Sequence, residues 1–430
     1  MTSSVKKTFA IAAAFGAAIS PAVLAQTRSA DPARERGGMI YTLDVAQRLE
    51  ANSNPSLSED PNGTVYFSNT RLAFNLNSET RTQIFNLDLS GSLRMSDGPN
   101  TDSIELGAVD PRIAVAYNQY AASSRLDVMA SMIHTEIGST DPLSSFLNTD
   151  GERSITTDFE DLTGTGTRDA LAFSAKLSIW DDAPFGLAFS TNVSDLTYYD
   201  ASNPDLTDST RSRHEIEARF DISDVMQATA ALHYTSLDNS TTTRSRTGAD
   251  FGLKIDRPDG SYGGHTRIVD GEDGIQASLL FAREIALPTS SYTFALGASR
   301  ATTEDVFATG YIVANHNLAG TRFTAKAERR LDVNNDNAEE MLTTLSLKAS
   351  TAVSDYGRMS LDVGYGDGQT LASSEQTTLS SIGVTYTHDV SEDWSVDATA
   401  SYRQRSTTGL ADADSSSLAL TLRRSFDLRP

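Results

Sequence analysis

Cysteine is absent from all 430 residues, which rules out disulfides and thiolate metal sites even in an oxidising compartment. Long apolar runs are missing as well. After residue 25 no segment approaches the roughly 20 apolar residues that a membrane helix needs, and hydrophobic residues make up only 39% of the chain. Basic residues are the minority charge, with 35 Lys and Arg against 57 Asp and Glu and a net charge of −22. That balance disfavours nucleic acid and anionic surfaces, which need a basic patch. The histidines His134, His214, His233, His265, His316 and His388 are scattered. They form no H-E-x-x-H pair, and there is no G-x-S-x-G elbow, phosphate loop or metal-ligand cluster. Enzyme chemistry and a bound cofactor are therefore not expected.

What the sequence does contain is alternation. From Thr82 to Met95, Phe85, Leu87, Leu89, Gly91, Leu93 and Met95 fall on one face of a β-strand, and Asn86, Asp88, Ser90, Ser92 and Arg94 fall on the other, because successive side chains point to opposite faces. The segment is longer than an ordinary globular strand of five or six residues. A tilted strand of about 10 residues crosses a bilayer, apolar toward lipid and polar toward the lumen. Similar segments recur about 20 times between residues 39 and 428. The pattern resembles a bacterial outer-membrane β-barrel, porin-like in architecture without the motifs of one family. It implies an all-β, transmembrane, antiparallel up-and-down barrel of about 20 strands with no plug domain. The segment 260–269, with Gly263 and Gly264 and little alternation, is the weakest strand. If it is a loop, another must drop out to keep the number even, leaving 18.

The N-terminus carries the marks of export. Lys6 and Lys7, the small apolar run Phe9 to Ala18, and Val23-Leu24-Ala25 before Gln26 form the three regions of a signal peptide. Residues 1–25 are therefore predicted to be the signal, 26–38 a polar periplasmic lead, and 39–430 the barrel. Short turns rich in Gly, Pro, Asp, Asn and Ser, such as Asn77-Ser78-Glu79 and Pro258-Asp259-Gly260, alternate with longer connections at 97–110, 138–168, 198–211 and 367–375. Barrels of this type have short periplasmic turns and long external loops, so odd strands rise and even strands descend. Aromatics are predicted to form two girdles, with Phe185, Tyr292, Tyr356 and Trp394 beside the short turns. Tyr66, Tyr198, Tyr234, Phe307, Tyr365 and Tyr402 lie toward the long loops. The last strand carries Phe426 close to the C-terminus, similar to the terminal aromatic that the barrel-assembly machinery recognises, although Arg424 interrupts its apolar phase.

The inward phase carries both signs of charge, among them Asp88, Arg94, Glu217, Arg219, Lys326, Arg358 and Asp362. Pairing them all in a dry interior would cost several kcal/mol per ion, whereas a barrel of 16 or more strands holds water. The 138–168 connection is the third external loop by this count, the position at which general porins fold a loop inward, but it lacks their Pro-Glu-Phe-Gly-Gly motif. Its Asp150, Glu152, Asp158, Glu160 and Asp161 would then form an acidic constriction that favours cations. The same loop could instead lie outside the barrel. Asp332, Asn334 and Asp336 are spaced like the start of a calcium loop, but Thr343 at the twelfth position cannot supply the bidentate carboxylate. The expected function is passive passage of small hydrophilic solutes through the outer membrane of a Gram-negative bacterium, in contact with its lipid and lipopolysaccharide. The alternative is a non-conducting barrel serving as a surface scaffold or as partner of an envelope polysaccharide or lipid export system. The oligomeric state is left open.

Overall fold

A computed structural model describes residues 38–428 apart from 62, 100–104, 138–164, 204–205, 240–241, 319, 334–337 and 374. Among the described residues there are 20 strands. The first seven are β1 (Gly38–Asn52), β2 (Val65–Glu79), β3 (Gln83–Asp97), β4 (Glu105–Tyr120), β5 (Ser124–Glu136), β6 (Thr167–Ile179) and β7 (Phe185–Tyr199). Next come β8 (Ser209–Ser223), β9 (Met226–Asn239), β10 (Thr243–Arg257), β11 (Gly260–Gly271), β12 (Gly274–Leu287), β13 (Ser290–Arg300) and β14 (Val306–Leu318). The set ends with β15 (Thr321–Val333), β16 (Glu339–Ala352), β17 (Gly357–Thr370), β18 (Gln376–Asp389), β19 (Trp394–Thr407) and β20 (Ala413–Leu428).

Each strand pairs antiparallel with its sequence neighbours, and β20 returns to β1 in a register running from Tyr41 opposite Leu428 to Asn52 opposite Ser417. The sheet is thus a closed barrel with no free edge. In hydrocarbon no water is available to satisfy an open edge, so closure is what permits strands to span at all. A strand of 14 residues, such as β12, is about 46 Å long at 3.3 Å per residue. Tilted by about 40° it rises about 35 Å, enough to cross the apolar band and emerge on both sides.

The two faces divide as the alternation requires. Leu232, Phe281, Leu296 and Leu418 are each 64–67% exposed, and with Leu72, Leu93, Ile216, Phe251 and Ile312 they form an outward apolar belt. A water-soluble protein does not leave so continuous an apolar surface uncovered. The register assigns Leu87 and Leu361 to this outer face, and Ser90 and Ser360 to the inner one.

Several boundaries differ from the sequence reading. Segment 260–271 is a full strand paired on both sides, so the 18-strand alternative falls; Gly263 and Gly264 are held by backbone ladders with Lys254 and Leu253 on one side and Ala282 and Phe281 on the other. Asn77-Ser78-Glu79 belongs to β2, paired with Asn86, Phe85 and Ile84, and the turn falls at 80–82. The strands continue past the membrane at the other end too. The connections predicted at 97–110, 198–211 and 367–375 shrink to 98–104, 200–208 and 371–375. Two girdle residues point the other way: Tyr198 lies opposite Arg168 and Phe307 opposite Ser299, both on the lumen face. Tyr199, 47% exposed, takes the outer position beside Tyr198. Arg424 does lie in the outward phase, and its guanidinium sits 5.1 Å from the Trp394 ring and 4.3 Å from the Phe426 ring. Stacking on two aromatic faces lets a cation sit at the interface among apolar neighbours.

Substituting Leu87→Arg or Leu361→Arg should each destabilise the barrel by about 2–4 kcal/mol, whereas Ser90→Arg and Ser360→Arg, facing water, should cost little. Equilibrium folding into lipid vesicles measures all four, and equal impairment at every site would contradict the two-faced wall.

Candidate functional site

The candidate site is the lumen, and its charged residues fall into two regions that the sequence does not separate. In the first, Asp44, Arg71, Lys176, Lys348, Arg358 and Asp362 point inward yet remain exposed to solvent. Lys348 and Asp362 are cross-strand partners. An inward side chain that stays exposed on a closed wall marks a water-filled space beside it. Nearby, Asp88 accepts a 2.5 Å hydrogen bond from Asn75. Arg94 donates to Asn69 at 3.1 Å, Asp110 at 3.1 Å and Glu136 at 2.6 Å. Asp110 has φ 52° at the β3–β4 irregularity that follows Ser90. A bulge of this kind bends the strand and re-aims a side chain, here placing a carboxylate on Arg94.

The second region is packed. On β10, Asp250 is 8% exposed and accepts a 2.5 Å hydrogen bond from Arg267 Nε on β11. Its other oxygen lies 3.0 Å from His233 Nδ1 on β9 and 3.6 Å from Arg213 on β8. His265 Nε2 is 3.5 Å away, and Arg213 reaches Glu215 at 2.5 Å. The register builds this knot, because Arg267 and Ala231 flank Asp250 while His233 faces Gly248. A Cβ on Gly248 would stand 2.4 Å from the His233 ring, so only glycine lets that ring lie over β10. Glu215, His233 and Asp250 bring ligand atoms within 4.8 Å of one another. Both carboxylates already hold a guanidinium, however, and two carboxylates with two arginines make a near-neutral polar knot rather than a cation site.

The packing continues along β15, where Lys326, Glu328, Arg330 and Asp332 form a same-face chain of ion pairs at 3.0–3.3 Å. His265, Arg267, Tyr311, Glu328 and Arg330 line one cavity of about 220 Å³. In a round ring of 20 strands roughly 40 Å across, β11 and β15 would stand roughly 24 Å apart, so a cavity this small shared between their side chains marks a wall drawn inward here.

Of the sequence candidates, Asp88, Arg94, Glu217, Lys326, Arg358 and Asp362 lie on the lumen face. Arg219 does so at its end, where it clamps the 180–184 turn through the Asp181 and Ala183 carbonyls at 2.6 and 2.8 Å. Asp332 accepts from Arg330 and from the Val333 amide. Asp150, Glu152, Asp158, Glu160, Asp161, Asn334 and Asp336 lie outside the described residues. Sequence reasoning missed Arg213, His233, Asp250, His265 and Arg267 as a unit. All five share the inward phase of adjacent strands, but only the register between strands brings them together.

A closed antiparallel barrel with an apolar outer belt and a charged, partly hydrated interior is a membrane-spanning β-barrel of the outer-membrane type. No protein-family model matches the chain, and a search of curated proteins returns no match. Solved structures do match it along most of its length. The ferric enterobactin receptor PfeA (Q482A mutant) from Pseudomonas aeruginosa is 9% identical with a TM-score of 0.48, over 91% of this chain and 82% of that one. The siderophore receptor PirA from the same organism is 12% identical with a TM-score of 0.45, over 89% and 80%. OccK5 (OpdH), again from Pseudomonas aeruginosa, is 11% identical with a TM-score of 0.40, over 90% and 98%.

Asp250→Ala leaves two arginines facing each other in the packed region. It should cost about 3–5 kcal/mol, as expected when one partner of a buried ion pair is removed, while Asp362→Ala in the hydrated region should cost about 0–1 kcal/mol. Urea unfolding from vesicles, followed by tryptophan fluorescence, separates the two. Equal losses would mean that the lumen is uniformly wet or uniformly dry.

Proposed function

We propose that this chain is a channel of the Gram-negative outer membrane that admits small hydrophilic solutes by passive diffusion. The observation that carries this reading is the set of inward charges, Asp44, Lys176, Lys348, Arg358 and Asp362, that stay exposed to solvent inside a closed wall. Charges held in water cost little, and they need no partner. The shorter connections face the periplasm and the longer ones the cell surface, with lipid and lipopolysaccharide around the belt and the barrel-assembly machinery as the inserting partner.

The finer part of the proposal is a preference for cations. It rests on the acidic excess of the chain and on Asp150, Glu152, Asp158, Glu160 and Asp161 in the connection between β5 and β6. A ring of carboxylates raises the local cation concentration within about one Debye length, roughly 10 Å at 0.1 M salt. Against it stand the arginines of the packed wall, so the reversal potential reads the balance of the two.

Purified protein in a planar bilayer should give steady conductance steps. In a salt gradient the reversal potential should lie on the cation side and move toward zero when the five acids become Asn or Gln, more so at low salt. Silence of the purified protein would instead favour a non-conducting scaffold, and reversal at zero or on the anion side would refute the cation preference alone. For orientation, a cysteine at Ser202 should react with an impermeant maleimide in intact cells, and cysteines at Ser223 or Ser354 should not. The opposite pattern would invert the topology.

A further inference from the structure

The long-connection ends of β15 and β16 stand where a round barrel could not put them. Twenty strands about 4.8 Å apart and tilted by about 40° close into a ring roughly 40 Å across. On such a ring, strands seven places apart are separated by roughly 35 Å. Yet Arg211 Nη2 of β8 donates to the carbonyl of Val333, the last residue of β15, at 3.3 Å. No arginine side chain spans the difference, so at this end β8 and the paired end of β15 and β16, where Val333 faces Glu339, approach each other across the lumen.

One carboxylate holds it there. Glu339 accepts from Gln276 Nε2 of β12 at 2.5 Å. It also accepts from the Thr302 amide at 2.9 and 3.2 Å and from the Thr302 hydroxyl at 2.8 Å. Those donors come from the fourth strand away and from the connection between β13 and β14. Both carboxylate oxygens accept hydrogen bonds from neutral donors, and the Arg246 guanidinium of β10 adds an electrostatic attraction to the same carboxylate. Behind it, Met341 and Leu342 are 2% and 4% exposed, although successive residues of a free barrel wall would expose one face to lipid and the other to lumen.

We propose that the inward-bent ends of β15 and β16 form a strut that narrows the channel, and that Glu339 is the positioning residue that sets its aperture. The inference rests on the channel reading. It names a size-selecting element, built from strand ends, on a different part of the wall from the β5–β6 connection.

Two measurements test it. Glu339→Ala removes the acceptor for all three donor groups and should raise single-channel conductance at least twofold, with faster entry of larger sugars in liposome swelling. Glu375→Ala, in the exposed β17–β18 connection, should leave both unchanged. A shift in heat-modified gel mobility confirms that each variant has folded. Separately, because the chain has no cysteine of its own, a Gln276→Cys, Glu339→Cys pair should be joined by a short bismaleimide in native outer membranes. The joined protein should conduct at the wild-type level, and the unjoined pair should conduct like Glu339→Ala. No cross-link, or unchanged conductance in folded Glu339→Ala, overturns the strut while leaving a conducting wild type intact. Silence of every protein despite an efficient cross-link overturns the channel reading, and with it the role of the strut in setting an aperture.

Discussion

The structure depends on one constraint, the need of every backbone amide and carbonyl inside a bilayer to find a partner within the protein. The β1–β20 ladder, twelve residue pairs long, meets it by removing the only two edges that an open sheet of these strands would have. Once that seam closes, each strand has one face in lipid and one in the lumen, and the period-two alternation follows as a consequence. The apolar positions need not be numerous. Half of each strand suffices, which is how a chain with 39% hydrophobic residues crosses a membrane twenty times.

The same closure decides the fate of the charges. Most polar strand positions are sent inward together, and a wall this wide leaves room for water on one side while bending in on the other. Where the wall stays out, Lys348, Arg358 and Asp362 keep their hydration. Where it bends in, from β8 to β15, side chains lose water and must be paired, and they are: Asp250 with Arg267, Arg213 with Glu215, and Arg330 with Glu328 and Asp332. Desolvation thus explains why the charges of this sector are paired, and the same rule holds where charges are buried elsewhere in the wall, as for Arg94 with Asp110 and Glu136 and for Asp397 with Arg423. Under the proposed channel function, the residues that hold the wall inward are also the ones that limit the open cross-section.

At the outer surface the problem is reversed, because a cation must be hidden from lipid. Arg424 solves it with two aromatic rings, and Arg283 does the same with Tyr262 at 4.2 Å while also pairing with Asp259. Both sit at the short-turn end, where the rings mark the membrane boundary. An arginine that breaks the apolar phase in the sequence is therefore part of the interfacial girdle.

The sequence by itself determined the class of fold, a count of about 20 strands, and the inward or outward sense of nearly every side chain, from Leu87 and Ser90 to Leu361 and Asp362. That information is local: alternation is written residue by residue, and a one-residue slip would turn a whole strand inside out. It even placed Glu217, Arg219 and Lys326 on the correct face. What only the tertiary structure decided was which inward residues meet. His233, Asp250 and Arg267 lie 17 residues apart at each step, and their contact follows from the register of three strands, a long-range quantity that periodicity does not encode. The contacts of Arg211 with Val333 and of Glu339 with Thr302 are more remote still. They depend on the shape of the whole ring, which no single strand carries.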